Sequence, residues 1–131
     1  MNVKHAVLWI DHHAAHVVRL LENEKHETTE VHGTKHHQTH NKRQDDGHRR
    51  TLDPEYAERV AEACAGIERI LLVGPSTAKD ELRHYLEAKH PELAKRIAGV
   101  EAADHPTPGE LKKHALRFFE SADRMLGEHV T

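Results

Sequence analysis

Residues 32–50, which read HGTKHHQTHNKRQDDGHRR, concentrate side chains that bind metal ions or nucleic acids. Imidazoles spaced by four residues can chelate zinc or nickel from one face of a helix. The metal hypothesis rests on the first four histidines of the stretch, His32, His36, His37 and His40. Gly33, Thr34 and Thr39 interrupt any apolar face on which such a helix could form. We therefore expect only weak binding of zinc or nickel and no resident cofactor.

A second pair of histidines with the same spacing stands near the N-terminus. His12 and His16 fall in a predicted strand, where an even spacing places both on one face but roughly 13 Å apart. That distance is too long for a shared metal ion. The sequence has no HExxH motif either, so a catalytic or structural metal centre is not predicted.

Basic side chains give the histidine-rich stretch a second chemistry, the neutralisation of phosphate groups. We hypothesise that the five lysines and arginines of this stretch bind RNA: Lys35, Lys42, Arg43, Arg49 and Arg50. Flexible basic arms bind RNA by releasing counterions, and histidines add stacking and hydrogen bonds to unpaired bases. However, the net charge of the chain is −3 and aromatic residues make up only 4%. A solvated loop without a ligand therefore explains the composition equally well.

Two further segments could bind or react with a ligand where a strand ends. At residues 74–79 the first amides of a helix can bind an anion, with Ser76, Thr77 and Lys79 around it. This segment lacks the GxxxxGK[ST] pattern of a nucleotide-binding loop, and a structural turn is the simpler interpretation. Asp104 and His105 end the last predicted strand, where open α/β sheets often place ligands. They suggest a hydrolase site, although Asp104 as a cap of the following turn explains the pattern as well.

Length and composition predict one domain, residues 1–131, with a flexible loop at residues 33–50. The apolar runs are too short to span a membrane, and the N-terminus does not resemble a signal peptide. The single cysteine, Cys64, fits a reducing compartment and is interpreted as a buried core thiol. We therefore expect a cytoplasmic protein with neither a membrane nor a DNA partner.

Histidine is the most informative feature of the charge distribution. The chain has fifteen histidines and a net charge of −3 when they are neutral. Complete protonation adds fifteen charges and brings the total to +12. The electrostatic field of the protein is therefore expected to change strongly on mild acidification.

Hydrophobic patterning predicts five strands, at residues 5–11, 13–21, 25–32, 68–74 and 97–104. The first two are close enough in sequence to pair as an antiparallel hairpin, and the polar third strand is expected near a sheet edge.

Capping residues mark where the predicted helices begin. Asp53 followed by proline begins the first helix, and Ser76 or Thr77 caps the second. Thr107 and Glu110 form the capping box of the last helix.

The order of elements, β-β-β-loop-α-β-α-β-α, predicts an α/β domain with a mixed sheet of about five strands. An antiparallel meander comes first and a βαβα arrangement with right-handed crossovers follows, which is the plan of the ribonuclease H-like folds. The predicted core is Val7, Trp9, Val17, Leu20, Val60, Ile70, Leu72, Leu82, Leu86, Val100, Leu111, Phe118 and Phe119.

Several segments together resemble a known family. ILLVGPSTAKDELRHYLEAKHPELAKRI is similar to the strand, Gly-Pro and helix segment in the central domain of eukaryotic-type peptide-chain release factors and pelota, with matches at Gly74, Pro75, Lys79, Tyr85 and Leu86. HAVLWIDHHAAHVVRL resembles the opening hairpin of that domain, and YAERVAEAC takes the place of its first helix. VEAADHPTPGELKKHALRFF resembles bacterial stand-alone relatives called translational machinery proteins. The resemblance implies a domain of the translational machinery component type.

The same resemblance implies a departure in function. Release factors carry Gly-Gly-Gln in the loop after the third strand, whereas this chain reads Lys35-His36-His37-Gln38. Paired glycines permit backbone conformations that two histidines resist, so Gln38 is not expected to promote peptide release.

The sequence therefore favours a non-catalytic factor that associates with the ribosome or with structured RNA. One alternative is a metal- or pH-responsive binding protein that uses the histidine-rich stretch. Another is a hydrolase with its site at Asp104 and His105.

Overall fold

The structure is a computed structural model that describes residues 3–33 and 52–126, with side chains as far as Ala122. The strands are β1 (Val3–Ile10), β2 (Ala14–Leu20), β3 (His26–His32), β4 (Ile67–Gly74) and β5 (Ile97–Ala102). The α-helices of this part are α1 (Pro54–Ala63), α2 (Ala78–Lys89), α3 (Pro91–Ala94) and α4 (Pro108–Leu126), and a 3-10 turn at Glu22–Glu24 joins β2 to β3. The predicted loop beyond Gly33 lies outside the described residues, so its predicted flexibility stays a prediction.

The five strands form one mixed sheet in the order β3-β2-β1-β4-β5. β1 pairs antiparallel with β2, and β2 pairs antiparallel with β3. β4 lies parallel to both β1 and β5. This sheet confirms the predicted α/β class. It also confirms the antiparallel meander followed by parallel strands and the position of the third strand at an edge.

The neighbouring strands β1 and β4, in the interior of the sheet, are apolar because helices cover both faces of the sheet. Along β1, Leu8 and Ile10 join the core beneath α1 and α2, whereas Val7 and Trp9 join the core beneath α4. All four side chains are at most 4% exposed. None of the helices in the described residues is long and apolar enough to cross a membrane.

The predicted core is confirmed at ten of its thirteen positions. The prediction was wrong for Leu20, Val100 and Phe118, which are only half-buried. Leu20 ends its strand and Val100 lies on the edge strand β5, so each lacks neighbours on one side. The prediction also omitted Tyr56, the largest fully buried side chain.

Local capping follows the prediction at two helices. The Asp53 carboxylate accepts a hydrogen bond from the Tyr56 amide at the start of α1. At α4 the Glu110 amide donates to the Thr107 hydroxyl (3.1 Å) and the Thr107 amide donates to the Glu110 carboxylate (2.8 Å). This is the reciprocal geometry of a capping box.

Cys64 is 1% exposed, as the prediction of a core thiol requires. Burial raises the pKa of this thiol to about 12. Because the thiolate is the reactive form of cysteine, Cys64 is unsuited to act as a nucleophile near neutral pH.

The Glu58 carboxylate connects α1 to the junction between α2 and α3 by hydrogen bonds. The Tyr85 hydroxyl donates to Glu58 Oε1 (2.6 Å), and His90 Nε2 lies 2.8 Å from the same oxygen. These hydrogen bonds, from His90 first and then Tyr85, lower the pKa of Glu58 below its ordinary value of 4.5.

We expect Glu58→Gln to weaken the acid sensitivity of folding. A carboxyl whose pKa is lowered in the folded state stabilises the protein above its unfolded pKa, and this contribution is lost as the pH falls. Between pH ~5 and ~3 the wild type should therefore lose more free energy of unfolding than Glu58→Gln, measured by urea denaturation. Glu62→Gln, at an exposed position of the same helix, should follow the wild type. Identical pH profiles for all three proteins would contradict the assignment.

Candidate functional site

The topology brings several histidines to one edge of the sheet. The carboxyl ends of β1, β3, β4 and β5 meet there, together with the first residue of β2. The structure places five histidines at this edge, which we call the histidine edge: His12, His13, His16, His32 and His105.

Asp11 organises the turn between β1 and β2. Its Oδ1 accepts hydrogen bonds from the amides of His13 and Ala14, both at 2.8 Å. The Tyr56 hydroxyl of α1 donates to the Asp11 carbonyl (3.0 Å). Burial, and then the charge of Asp11, raise the pKa of Tyr56, so the phenol remains a donor. The carboxylate thus holds the turn in place, and the exposed His13 side chain projects from it.

His105 lies over Trp9 at the end of β5. Their ring centroids are 4.9 Å apart, and Trp9 Nε1 donates to the Asp104 carbonyl at 2.7 Å. His105 Nδ1 is 3.2 Å from Asp104 Oδ1, and His105 Nε2 is 3.9 Å from Asp11 Oδ2. The pair suggested as a hydrolase site is therefore joined by a contact, but the side chains of Asp104 and His105 are 93% and 66% exposed. Water competes for both groups, which does not favour an activated base.

At the predicted anion site, at the start of α2, the side chains of Thr77 and Lys79 form hydrogen bonds within the protein. Thr77 stands at the N-cap position, but its hydroxyl donates to Glu81 Oε2 (3.0 Å) instead of capping the helix. Lys79 Nζ donates to the Ser76 carbonyl at 2.6 Å. Glu81 Oε1 lies 2.9 Å from His12 Nε2. Ser76, Thr77 and Lys79 do come together, yet the Glu81 carboxylate beside them opposes an anion.

The predicted geometry of His12 and His16 was wrong. His12 lies in the turn that precedes β2, because β2 begins at Ala14. His16 lies in β2, and its ring centroid is 5.4 Å from that of Trp9. The two histidines contact different partners and do not share a face of one strand.

Glu30 lies between two histidines on neighbouring strands. Its Oε2 is 3.5 Å from His16 Nδ1, a buried atom that makes no hydrogen bond to the residues that the structure describes. Its Oε1 is 3.3 Å from His32 Nε2. Of the predicted metal ligands only His32 is described; His36, His37 and His40 lie outside the described residues. Across residues 3–33 and 52–122, no three His, Cys, Asp or Glu side chains are placed to hold a metal ion.

The two ends of the histidine-rich stretch are anchored next to α1. Arg59 donates to the His32 carbonyl, and the Gly33 amide donates to the His13 carbonyl at 2.9 Å. On the return side Leu52 is 5% exposed and packs in the core. The predicted RNA-binding residues, Lys35, Lys42, Arg43, Arg49 and Arg50, all lie between these anchors and outside the described residues.

Sequence reasoning missed Arg59, Tyr56 and Trp9 as residues that shape this edge. Each contacts a backbone carbonyl at least 27 residues away in the chain. Their spacing carries no signal that a sequence pattern could have shown.

Comparisons with known proteins place the fold. No family model and no curated protein matches the sequence. Among solved structures, an archaeal translation termination factor, aRF1, is similar with a TM-score of 0.53 and 13% identity over 96% of this chain. The Pelota proteins of Thermoplasma acidophilum and Archaeoglobus fulgidus give TM-scores of 0.56 and 0.53, with 13% and 15% identity over 97% and 95% of this chain.

The chain has the fold of part of aRF1 and Pelota. It spans 41% of the aRF1 chain, 36% of the Thermoplasma Pelota and 38% of the Archaeoglobus Pelota. The predicted relation to release factors and pelota is thus confirmed at the level of the fold.

Proposed function

We propose that this chain is a non-catalytic factor that associates with the ribosome or with structured RNA in a process related to translation termination or rescue. The fold that it shares with aRF1 and Pelota, over 95% or more of its length, is the observation that supports the proposal. In this view the protein is a bacterial relative of those factors and acts in the cytoplasm.

The proposed RNA contact is made by Lys35, Lys42, Arg43, Arg49 and Arg50. Their segment is flanked by Gly33 and Leu52, which are attached to the sheet and the core. Each lysine or arginine that neutralises a phosphate releases counterions, so affinity falls as salt rises. Such contacts position a protein on RNA without reading its sequence.

Peptide release is not part of the proposed activity. The sequence before Gln38 supplies two histidines where release factors have glycines. The β-carbons of His36 and His37 restrict the backbone conformations that a Gly-Gly pair allows. The factor would therefore occupy or recognise a site without hydrolysing peptidyl-tRNA.

A second candidate is a metal-responsive binding protein. It draws support from Glu30, whose carboxylate lies beside both His16 and His32 at the point where the histidine-rich stretch begins. In this alternative His32, His36, His37 and His40 bind zinc or nickel weakly.

Co-sedimentation with ribosomes at low and high salt separates the two candidates. The test variant changes the five basic residues of the stretch to glutamine. The matched control changes Lys4, Arg83, Lys89, Lys95 and Lys113, which are exposed residues elsewhere on the surface. Both variants remove five positive charges, so they differ in position and not in net charge.

We expect the wild type and the control to pellet with ribosomes at low salt and to be released at high salt, whereas the test variant stays in the supernatant. The reason is that five phosphate contacts carry a salt slope of about −3.5 to −4.5. Absence of the wild type from the pellet at every salt concentration would refute the proposal. Unchanged pelleting of the test variant, with loss on changing His32, His36, His37 and His40, would favour the metal-responsive alternative.

A further inference from the structure

The described carboxylates of the histidine edge have histidines as neighbours. Glu81 Oε1 is 2.9 Å from His12 Nε2. Asp104 and Asp11 lie 3.2 Å and 3.9 Å from the two nitrogens of His105. The net charge of this surface therefore becomes more positive when its imidazoles carry a proton.

Three histidines of this edge are exposed: His13, His105 and His32, whose side chain is 65% exposed beside Glu30. His13 is exposed, in a turn that Asp11 holds by two hydrogen bonds to backbone amides. The His105 side chain is 66% exposed and rests on the Trp9 ring. Both imidazoles are thus presented to solvent from fixed backbone positions.

We infer that protonation of His13 and His105 strengthens RNA binding at the histidine edge, so that RNA affinity responds to mild acidification. The inference rests on the proposed function, because it adds a proton-dependent contact to the RNA binding proposed there; the Gly33 amide, where the basic segment begins, bonds to the His13 carbonyl. The proton is the effector, and the histidines recognise the phosphodiester backbone of the RNA.

Charge explains the direction of the effect. The charged groups facing His105 are Asp104 and Asp11, and Asp11 also faces the backbone of His13. With neutral imidazoles these carboxylates repel phosphate. Protonated imidazoles offset the carboxylates and add donors on both ring nitrogens, which are the groups that a phosphate accepts. Imidazole is the side chain whose charge changes between pH ~5 and ~8.

The test measures binding of a rhodamine-labelled RNA hairpin by fluorescence anisotropy at pH ~6 and ~7.5, over a range of KCl concentrations and with EDTA present. The full chain is compared with the double variant His13→Gln/His105→Gln. The matched control is His26→Gln/His84→Gln, whose two histidines are exposed at other positions of the surface. His13→Gln alone is a further variant, and it leaves the His105 contact with Trp9 intact. Thermal unfolding shows that each variant is folded.

We expect the wild type and the control to bind more tightly at the lower pH, with a steeper dependence on salt. The steepening should be smaller in the double variant by about 1.5, because each phosphate contact contributes roughly 0.7 to 0.9 to the slope. His13→Gln alone should lose about half of that difference. A double variant that keeps the full pH response would overturn the inference and leave the proposed function standing. Failure of the wild type to bind the RNA at either pH, even at low salt, would overturn the proposed function and the inference with it.

Discussion

Gly74→Ala should lower the free energy of unfolding by about 3 kcal/mol. A β-carbon at this position would lie 2.2 Å from the Ile10 carbonyl oxygen, which belongs to the backbone of the adjacent strand. No rotation of a side chain can relieve that contact, so β1 and β4 would have to separate where they end. Urea denaturation followed by far-UV circular dichroism measures the loss.

Gly109→Ala is the control for the effect of removing a glycine. The nearest atom to its β-carbon would be the Thr107 hydroxyl oxygen at 4.0 Å, so the space is open. Alanine in a helix is favoured over glycine, and we expect this variant to be as stable as the wild type or slightly more stable. Equal stability of the two alanine variants would contradict the close approach at Gly74.

Leu72→Ala should cost about 3 to 4 kcal/mol. Leu72 is fully buried on β4, opposite Leu8 on one side and Val100 on the other. Truncation leaves a cavity in the central strand, where both neighbouring strands are held by hydrogen bonds and cannot collapse into it. Thermal or urea unfolding gives the size of the effect.

Leu116→Ala is the matched control, because it removes the same atoms from a side chain that is 41% exposed on α4. Its effect should be smaller, about 1 kcal/mol, since a large part of its apolar surface stays in water on folding and truncation leaves no closed cavity. A similar cost for both variants would contradict the complete burial of Leu72.

Much of the fold could be predicted because its signals are local. The apolar run at residues 68–74 marks a strand covered on both faces, and β4 is that strand. Asp53 and the pair Thr107 and Glu110 cap their helices with groups three residues apart. Neighbouring residues supply both partners of these interactions, so their chemistry can be read from the order of the chain.

The candidate site was predictable only in part. The segment that begins at His32 stood out by composition, and Asp104 and His105 are in contact as their adjacency suggested. The role of Thr77 was not predictable, because its hydroxyl bonds to Glu81 instead of capping the helix. Gly74 ends the strand predicted at residues 68–74, but its strongest constraint, the approach of the Ile10 backbone, appears only in the structure.

By itself the sequence determined the elements, their order and the concentration of histidine and basic residues between β3 and α1. Only the tertiary structure decided which imidazole meets which carboxylate. Glu81 lies 69 residues from His12 along the chain, and the Asp104 carbonyl lies 95 residues from the Trp9 indole. Such contacts depend on strand order, register and the path of each connection, which the residues near either partner do not determine alone. The sequence pattern therefore specifies the groups at the histidine edge, and the packing of the whole sheet specifies their pairing.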